Sequence, residues 1–389
     1  MSSGPEGGPP VPRASSSTAA ATAIAERFAV EGRLRTIAPQ AGGHINESWV
    51  VTWDRPRGPS CFLLQHVNRF VFRRPGLVME NLARVTRHIA SRLEREGTPS
   101  RERRVLSLVP TREGASHLVD ADGETWRLFP WIEGTRSWEH AETTSQAGAA
   151  AFAFGRFLRQ LADLPEPPLH ETIPRFHDTP ARLVALERAW GADAAGRASS
   201  AGRETAALLD RRRVAGALVD RVERGDLAVR TAHNDAKIAN VLFDTSTGEP
   251  LCVVDLDTVM PGLALNDFGD LVRSAVSDSA EDERDLSRVS VRMDVFRALA
   301  RGFVEGAGDL LSPLERSLLA TAGKVIVLEQ AARFLTDHLE GDPYYGADRP
   351  GHNLDRARSQ LRLLESLEKH EAELERVVEE IGTTGSSPT

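Results

Sequence analysis

The chain has 389 residues, with 48 basic against 56 acidic side chains, a net charge of −8, and 41% apolar and 27% charged content. The acidic balance excludes a protein held on nucleic acid by surplus cations, and no apolar run approaches the ~20 residues that span a bilayer. Two cysteines, Cys61 and Cys252, each inside an apolar run, give no disulfide framework, and Met1–Thr18, crowded with Gly, Pro and Ser, reads as a flexible tail without an export signal, which places the protein in the cytoplasm.

At about 150 residues per domain the length predicts two or three units. In chain order, Thr22–Phe28 reads as a short helix, and Leu34–Ile37, Ser48–Trp53 and Cys61–Val67 read as strands of an antiparallel meander. Val78, Leu82, Val85, Ile89 and Leu93 recur at steps of three and four, which predicts one long helix between Pro75 and Gly97. Strands are expected at Val105–Val109, His117–Val119 and Thr125–Phe129, the last running into a hinge at Pro130–Gly134. Helices follow over Thr144–Leu161, Thr179–Trp190 and Arg203–Arg224. Short strands return at Val229–Ala232, Val241–Phe243 and Leu251–Val254, and helices close the chain at Leu318–Leu339 and Leu354–Ile381. A small β unit followed by a larger helical one predicts an α+β protein of two lobes. The expected divisions are a tail at 1–18, an N-terminal lobe at 19–131, a C-terminal lobe at 132–381 and a tail at 382–389.

The segment His233-Asn-Asp-Ala-Lys-Ile-Ala-Asn240 matches the spacing His-x-Asp-x-x-x-x-Asn of a phosphoryl-transfer loop. It lies between two apolar strands, and Asp255 ends the apolar run fifteen residues past Asn240. Such a transfer needs a carboxylate to orient the acceptor hydroxyl and take its proton, and cations to neutralise developing charge. Asp235 suits the first role. Asn240 and Asp255 offer the hard oxygen donors that Mg²⁺ takes alongside phosphates. Lys237 can reach a phosphate as a point charge, and His233 braces the loop. The plain alternative for His233 and Asn240 is turn chemistry. Asp257 is open between a second metal ligand and a loop contact. Asp267-Phe-Gly269 follows a Pro-Gly turn, so Asp267 reads as a helix cap and not as a metal ligand.

With Asp255–Gly262, Asn266–Asp270, Gly42–Asn46, Leu64–Asn68, Met79–Leu82, Phe334–Asp337 and His352–Arg358, the segment resembles the aminoglycoside phosphotransferase-like kinases, and among them the N-acetylhexosamine 1-kinases. The resemblance implies a bilobal, protein-kinase-like fold with ATP between the lobes, Asp235 as base, and Asn240 and Asp255 on magnesium. It implies that Gly42, Gly43 and Asn46 lie over the nucleotide, the alternative being a plain hairpin turn, and that Phe129, Trp131 and Ile132 form the adenine hinge. Relatives carry a cation on the third strand. Here that position is Gln65, so phosphate neutralisation is expected to fall on Mg²⁺ and Lys237, and Glu80 is left either without its usual partner or paired with Arg84. The same likeness implies an acceptor pocket of His44, Asp235, Arg333 and Tyr344. Arg333 and Tyr344 can also be read as packing residues.

The resulting expectation is a Mg²⁺- and ATP-dependent kinase of the anomeric hydroxyl of a hexose, N-acetylglucosamine or N-acetylgalactosamine, with no nucleic-acid or membrane partner and with monomer and dimer both open. The alternatives are a kinase of an aminoglycoside, amino alcohol or other small hydroxyl compound, and a nucleotide-binding pseudokinase.

Overall fold

A computed structural model describes residues 17–40 and 45–384. The expectations for Gly42, Gly43 and His44, and for most of the two tails, fall outside these residues.

The chain opens with α1 (Thr18–Ala25), capped by the Ser17 hydroxyl, and so begins earlier than the sequence pattern predicts. Strands β1 (Arg33–Pro39), β2 (Glu47–Arg55) and β3 (Gly58–His66) follow, then α2 (Pro75–Arg95), β4 (Leu118–Val119) and β5 (Thr125–Pro130). All pairs in this sheet are antiparallel, in the order β1-β2-β3-β5-β4. Alternation along the strands gives the sheet two buried faces. One packs Trp49, Val51, Trp53, Phe62, Leu64, Trp126 and Leu128 under Ala21, Ala25 and Phe28. On the other side α2 buries Val78, Leu82, Val85, Ile89 and Leu93, the periodic residues of the sequence, together with Phe129, Phe157, Leu256 and Val259. Because Phe157, Leu256 and Val259 belong to the second lobe, α2 fastens the lobes together by apolar burial.

The second lobe comprises β6 (Thr135–Arg136), α3 (Thr144–Leu161), α4 (Thr179–Ala192), α5 (Ala198–Leu209), α6 (Arg212–Glu223), β7 (Arg230–Ala232), β8 (Val241–Asp244), β9 (Pro250–Val253), β10 (Met260–Gly262), α7 (Ala264–Ala275), α8 (Met293–Ala307), α9 (Pro313–Ser317), α10 (Leu319–Glu340), α11 (His352–Lys369) and α12 (Glu371–Thr384). β7 pairs with β10, and β6-β8-β9 form a second small sheet. α10 is buried on nearly all sides and is the axis of the lobe. α3 and α8 touch backbone to backbone. A Cβ on Gly302 would stand 2.1 Å from the carbonyl oxygen of Gly148, so only glycine fits there.

Three expectations give way. Val105–Val109 is not a strand: Val109 N–H reaches the Leu128 carbonyl at 2.9 Å, but no ladder forms. The helix expected over Arg203–Arg224 is two, broken at Asp210–Arg211, where the Arg211 guanidinium turns to Glu368 at 2.8 Å from both nitrogens it uses. The closing helix breaks at His370, so that Leu374, Val377 and Ile381 fold back into the core.

Candidate active site

The site grows from the segment between β7 and β8. Past His233 the chain makes a left-handed turn at Asn234, φ +62°, a conformation that costs a non-glycine residue roughly 1–2 kcal/mol and persists only where its surroundings impose it. Here they do. The Asn234 N–H donates to Asp267 Oδ1 at 2.7 Å, and its Nδ2 donates to the carbonyls of Ala232, Thr258 and Met260 at 3.2, 3.0 and 3.2 Å. Gly262 leaves the space, since a Cβ there would lie 2.2 Å from Asn234 Oδ1.

Asp267 also accepts the His233 N–H at 2.9 Å. The expectation that it caps α7 is therefore corrected: Leu263 is the cap residue, and Asp267, further along the first turn, points its carboxylate at the loop. Burial pushes that carboxyl up to about 6, against the two backbone N–H groups that favour its anion.

His233 is buried against the edges of Phe154 and Phe157. Its Nε2 lies 3.0 Å from the Val254 carbonyl, which only accepts, so Nε2 holds the proton and Nδ1 accepts the Asp235 N–H at 3.3 Å. The ring thus ties Asp235 to the residue preceding Asp255 and does not itself face the space between the lobes.

Asp235 lies 3.1 Å from Lys237 Nζ and accepts from Asn240 Nδ2 at 3.1 Å. Burial favours its neutral form, but Lys237 foremost and Arg273 beyond it hold the carboxyl down at about 2. Lys237 in turn is held well above its ordinary range by Asp235 first, then against the cost of burial by Asp255 and Asp270. Asn240 Nδ2 also donates to the Asp235 carbonyl at 2.9 Å. Its amide nitrogen being spent, Oδ1 is left without a partner among the described residues.

Asp255 sits at φ +61° at the end of β9, its side chain open to solvent between the lobes. Its carboxylate accepts no hydrogen bond among the described residues. The surrounding protein mass and the charges of Asp257 and Asp235 push it up to about 6, opposed by Lys237 and Arg127. Asn240 Oδ1 and the Asp255 carboxylate are therefore two uncommitted oxygen donors beside a fixed carboxylate, a set that fits a hard divalent cation completed by phosphates and water. Among the described residues no group of three His, Cys, Asp or Glu side chains forms a self-sufficient metal cage.

Asp257 is not part of that donor set. It is 3% exposed and is engaged by both terminal nitrogens of Arg127, itself 2% exposed, the contact to Oδ2 measuring 2.9 Å, and by Asn46 Nδ2 at 2.7 Å. Its carboxylate is spent on protein donors, so the metal-ligand reading is withdrawn. The same contacts occupy the Asn46 side chain, whose Oδ1 accepts the Asn68 N–H at 3.0 Å, so that both ends of its amide hold protein and only its backbone is left for a nucleotide. Gln65 stands opposite Arg127 in the β3–β5 ladder, and its Oε1 accepts from Arg127 Nε and Nη2 at 3.0 and 2.8 Å. Arg127 was not singled out from the sequence, where it is one more arginine in an arginine-rich chain. Glu80 pairs with neither Lys nor Arg84. Its Oε2 lies 3.1 Å from His170 Nε2, while Arg84 donates to the carbonyls of Pro165, Pro167 and Pro168.

At the hinge, Phe129 is a core residue paired with Leu63, and the Trp131 N–H is used by the Cys61 carbonyl at 3.0 Å. The Ile132 N–H and the Trp131 carbonyl have no partner among the described residues and are the groups that remain for an adenine edge.

On the opposite side of Asp235, Arg333 of α10 is framed by Phe176, Tyr344 and Tyr345, with ring centroids 5.1, 5.7 and 5.5 Å away. Its Nη1 donates to Gln330 Oε1 at 3.2 Å, its one hydrogen bond among the described residues. Against the penalty of burial, Tyr345, Tyr344, Glu329 and Asp235 hold its guanidinium firmly protonated. Asp337 positions the aromatic pair by accepting the N–H groups of Tyr344 and Tyr345 at 2.7 and 3.0 Å. Phe176, Gln330 and Tyr345 were not singled out from the sequence. The Tyr344-Tyr345 doublet was the available signal, since the chain has no other tyrosines.

A family model described as the phosphotransferase enzyme family matches residues 36–301. Among solved structures, a spectinomycin phosphotransferase in complex with ADP and spectinomycin superposes with a TM-score of 0.51 at 12% identity, over 90% of this chain and 93% of that one. An aminoglycoside phosphotransferase from Alicyclobacillus acidocaldarius subsp. acidocaldarius gives a TM-score of 0.53 at 14% identity, over 96% and 98%. At such identities the likeness is one of fold, and it is the bilobal, protein-kinase-like fold expected from the sequence. No helix among the described residues is long and apolar enough to cross a membrane.

Proposed function

The chain belongs to the phosphotransferase enzyme family, and on that premise we propose that it is a sugar kinase, transferring the γ-phosphoryl group of ATP to the anomeric hydroxyl of an uncharged hexose such as N-acetylglucosamine or N-acetylgalactosamine. Asp235 orients that hydroxyl and takes its proton as the oxygen attacks phosphorus. An anomeric hydroxyl is more acidic than an ordinary alcohol, so a carboxylate ionised at neutral pH is base enough. Asn240 and Asp255 would hold Mg²⁺, which would neutralise the phosphate oxygens when bound. Lys237 sits within reach of the same charge, and Ile132 and Trp131 offer backbone to adenine.

The observation that carries the acceptor class is Arg333. A permanently charged guanidinium stands near the base, and Arg182 lies close enough to be disfavoured by it. Polyamine antibiotics and amino alcohols arrive as cations, and like charges brought together in such a place cost affinity. A neutral polyol avoids that repulsion. Its vicinal hydroxyls match the planar donor fork of Arg333, and its apolar ring face suits the aromatic frame of Phe176, Tyr344 and Tyr345.

The test is ATP consumption across free sugars, aminoglycosides, choline and ethanolamine, with the product read by phosphorus NMR. A doublet from coupling to the anomeric proton is expected with an N-acetylhexosamine. Turnover confined to the cationic acceptors would refute the reading.

A further inference from the structure

The Asn234–Asp235 peptide is held on its amide side by His233, whose Nδ1 accepts the Asp235 N–H at 3.3 Å, and the preceding peptide is held by Asp267, which accepts the Asn234 N–H at 2.7 Å. The Asn234 carbonyl oxygen is held by a residue from elsewhere in the chain. His177, in the turn before α4, places Nε2 at 3.0 Å from the Asn234 carbonyl oxygen and Nδ1 at 3.0 Å from Glu329 Oε1 on α10. The side chains of His177 and Glu329 are 9 and 2% exposed. A carbonyl oxygen only accepts, so Nε2 carries a proton. The second oxygen of Glu329 accepts the Thr179 hydroxyl at 2.8 Å. Burial favours the neutral acid, but the His177 charge and these hydrogen bonds hold Glu329 below the usual carboxylate range. Nδ1 therefore faces an anion and is protonated as well. Burial would strip that proton, and Glu329 outweighs it, raising the His177 pKa. Asp270 and Asp267 on α7 add negative charge on the same side, while Arg333 and Arg182 act on Glu329 from the other.

We infer that His177 is a positioning residue for the base: clamped as an imidazolium between Glu329 and the Asn234 carbonyl, it fixes the peptide plane from which the Asp235 side chain departs. The inference rests on the reading of Asp235 given above. Glu329 and Arg333 lie four residues apart on α10, on one face of the helix. One rigid element therefore carries both the guanidinium that meets the acceptor and the anchor of the group that deprotonates it. The distance between acceptor and base is set by packing and not by a mobile loop, which is the condition for in-line attack.

The experiment compares the full-length wild type with His177→Ala, His177→Gln and Glu329→Gln, using Mg·ATP and N-acetylglucosamine. A misplacement of about 1 Å is worth up to ~10²-fold in rate. His177→Ala is accordingly expected to lower kcat by about 10- to 100-fold with KM for ATP within about twofold. His177→Gln, whose amide can still donate to the Asn234 carbonyl, recovers most of the loss. In ¹⁵N-histidine spectra the wild type shows an imidazole that keeps both protons to higher pH than free histidine, its signals absent in His177→Gln and the ring neutralised in Glu329→Gln. If the wild type leaves the sugar untouched, the acceptor reading falls by itself; the comparison is then made on Mg·ATP hydrolysis by water, and the spectra read the clamp without any acceptor. A folded His177→Ala with unchanged kcat, equal loss in His177→Ala and His177→Gln, or a singly protonated His177 would overturn the inference.

Discussion

Arg127 and Asp257 form a guanidinium–carboxylate pair that crosses from the sheet of the small lobe to the segment just beyond Asp255, with side chains 2 and 3% exposed. Replacing Arg127 by Met removes both contacts to Asp257 and both donors to Gln65. The Asp257 carboxylate would then be left with Asn46 Nδ2 at 2.7 Å as its side-chain donor. Breaking a buried pair from one side costs about 3–5 kcal/mol, because the remaining charge stays desolvated. Unfolding entropy of about 2.1 cal/mol/K per residue, over 389 residues, amounts to ~0.8 kcal/mol/K, so the expected fall in Tm is about 4–6 °C. Asp257→Leu should cost a similar amount for the mirror reason. The double variant removes both charges and leaves an apolar pair, a change that is often close to neutral, so its Tm should lie above that of either single variant. Scanning calorimetry of the four proteins closes the cycle. A double variant whose loss equals the sum of the singles, or singles within 1 °C of wild type, would show that the two charges do not depend on each other and would refute the reasoning.

Other consequences are as direct. Asp235→Asn should lower kcat by about 10²–10⁴-fold, the span of a general base, with unchanged circular dichroism; Asp255→Asn should abolish Mg²⁺-dependent binding of ADP, and wild-type behaviour of either variant contradicts the site. Only ionised Asp255 can ligate a metal, and its carboxyl is pushed up to about 6, so Mg·ADP affinity measured by calorimetry should fall below that pH more steeply than protonation of the nucleotide's own terminal phosphate accounts for. An affinity that falls no more steeply than that would refute the assignment. Gly302→Ala should destabilise by about 1–3 kcal/mol through forced separation of α3 and α8, since its Cβ would meet the Gly148 carbonyl oxygen at 2.1 Å; an unchanged Tm would mean that the helices are not in backbone contact.

What the sequence made legible was local. The meander, α2 with its five periodic residues, α3, and the spacing from His233 to Asn240 depend on neighbours a few positions apart, and hydrophobic periodicity or turn chemistry records them. The breaks at Asp210–Arg211 and at His370 were hidden because neither has a glycine or proline to mark it. They arise where Arg211 reaches Glu368 and where α12 turns back into the core. Asp257 stayed open between metal ligand and loop contact for a similar reason: spacing from Asp255 suggested a ligand, while the partner that claims its carboxylate lies 130 positions away. His177 and Glu329 are 152 positions apart, and a lone histidine before a helix gives no sign of either.

Gln65 shows how such long-range contacts change the meaning of a local departure. From sequence it is a strand position that lacks an expected cation. In the fold, its carboxamide oxygen accepts two donors from Arg127 directly across the ladder, while its Nε2 donates to Ser48 Oγ at 3.1 Å. The cation is present, displaced to the next strand and neutralised by Asp257. Restoring a lysine should therefore do harm. Gln65→Lys would oppose two positive charges across an antiparallel pair and leave two guanidinium donors without their acceptor, at about 1–3 kcal/mol for the unsatisfied groups. It would also loosen Arg127 from Asp257, and with it the segment that carries Asp255. The expected outcome is a lower Tm and weaker Mg·ADP binding in calorimetry. A variant as stable as wild type that binds Mg·ADP more tightly would show that position 65 faces the phosphates, and that Arg127 is a structural cation with no bearing on the site.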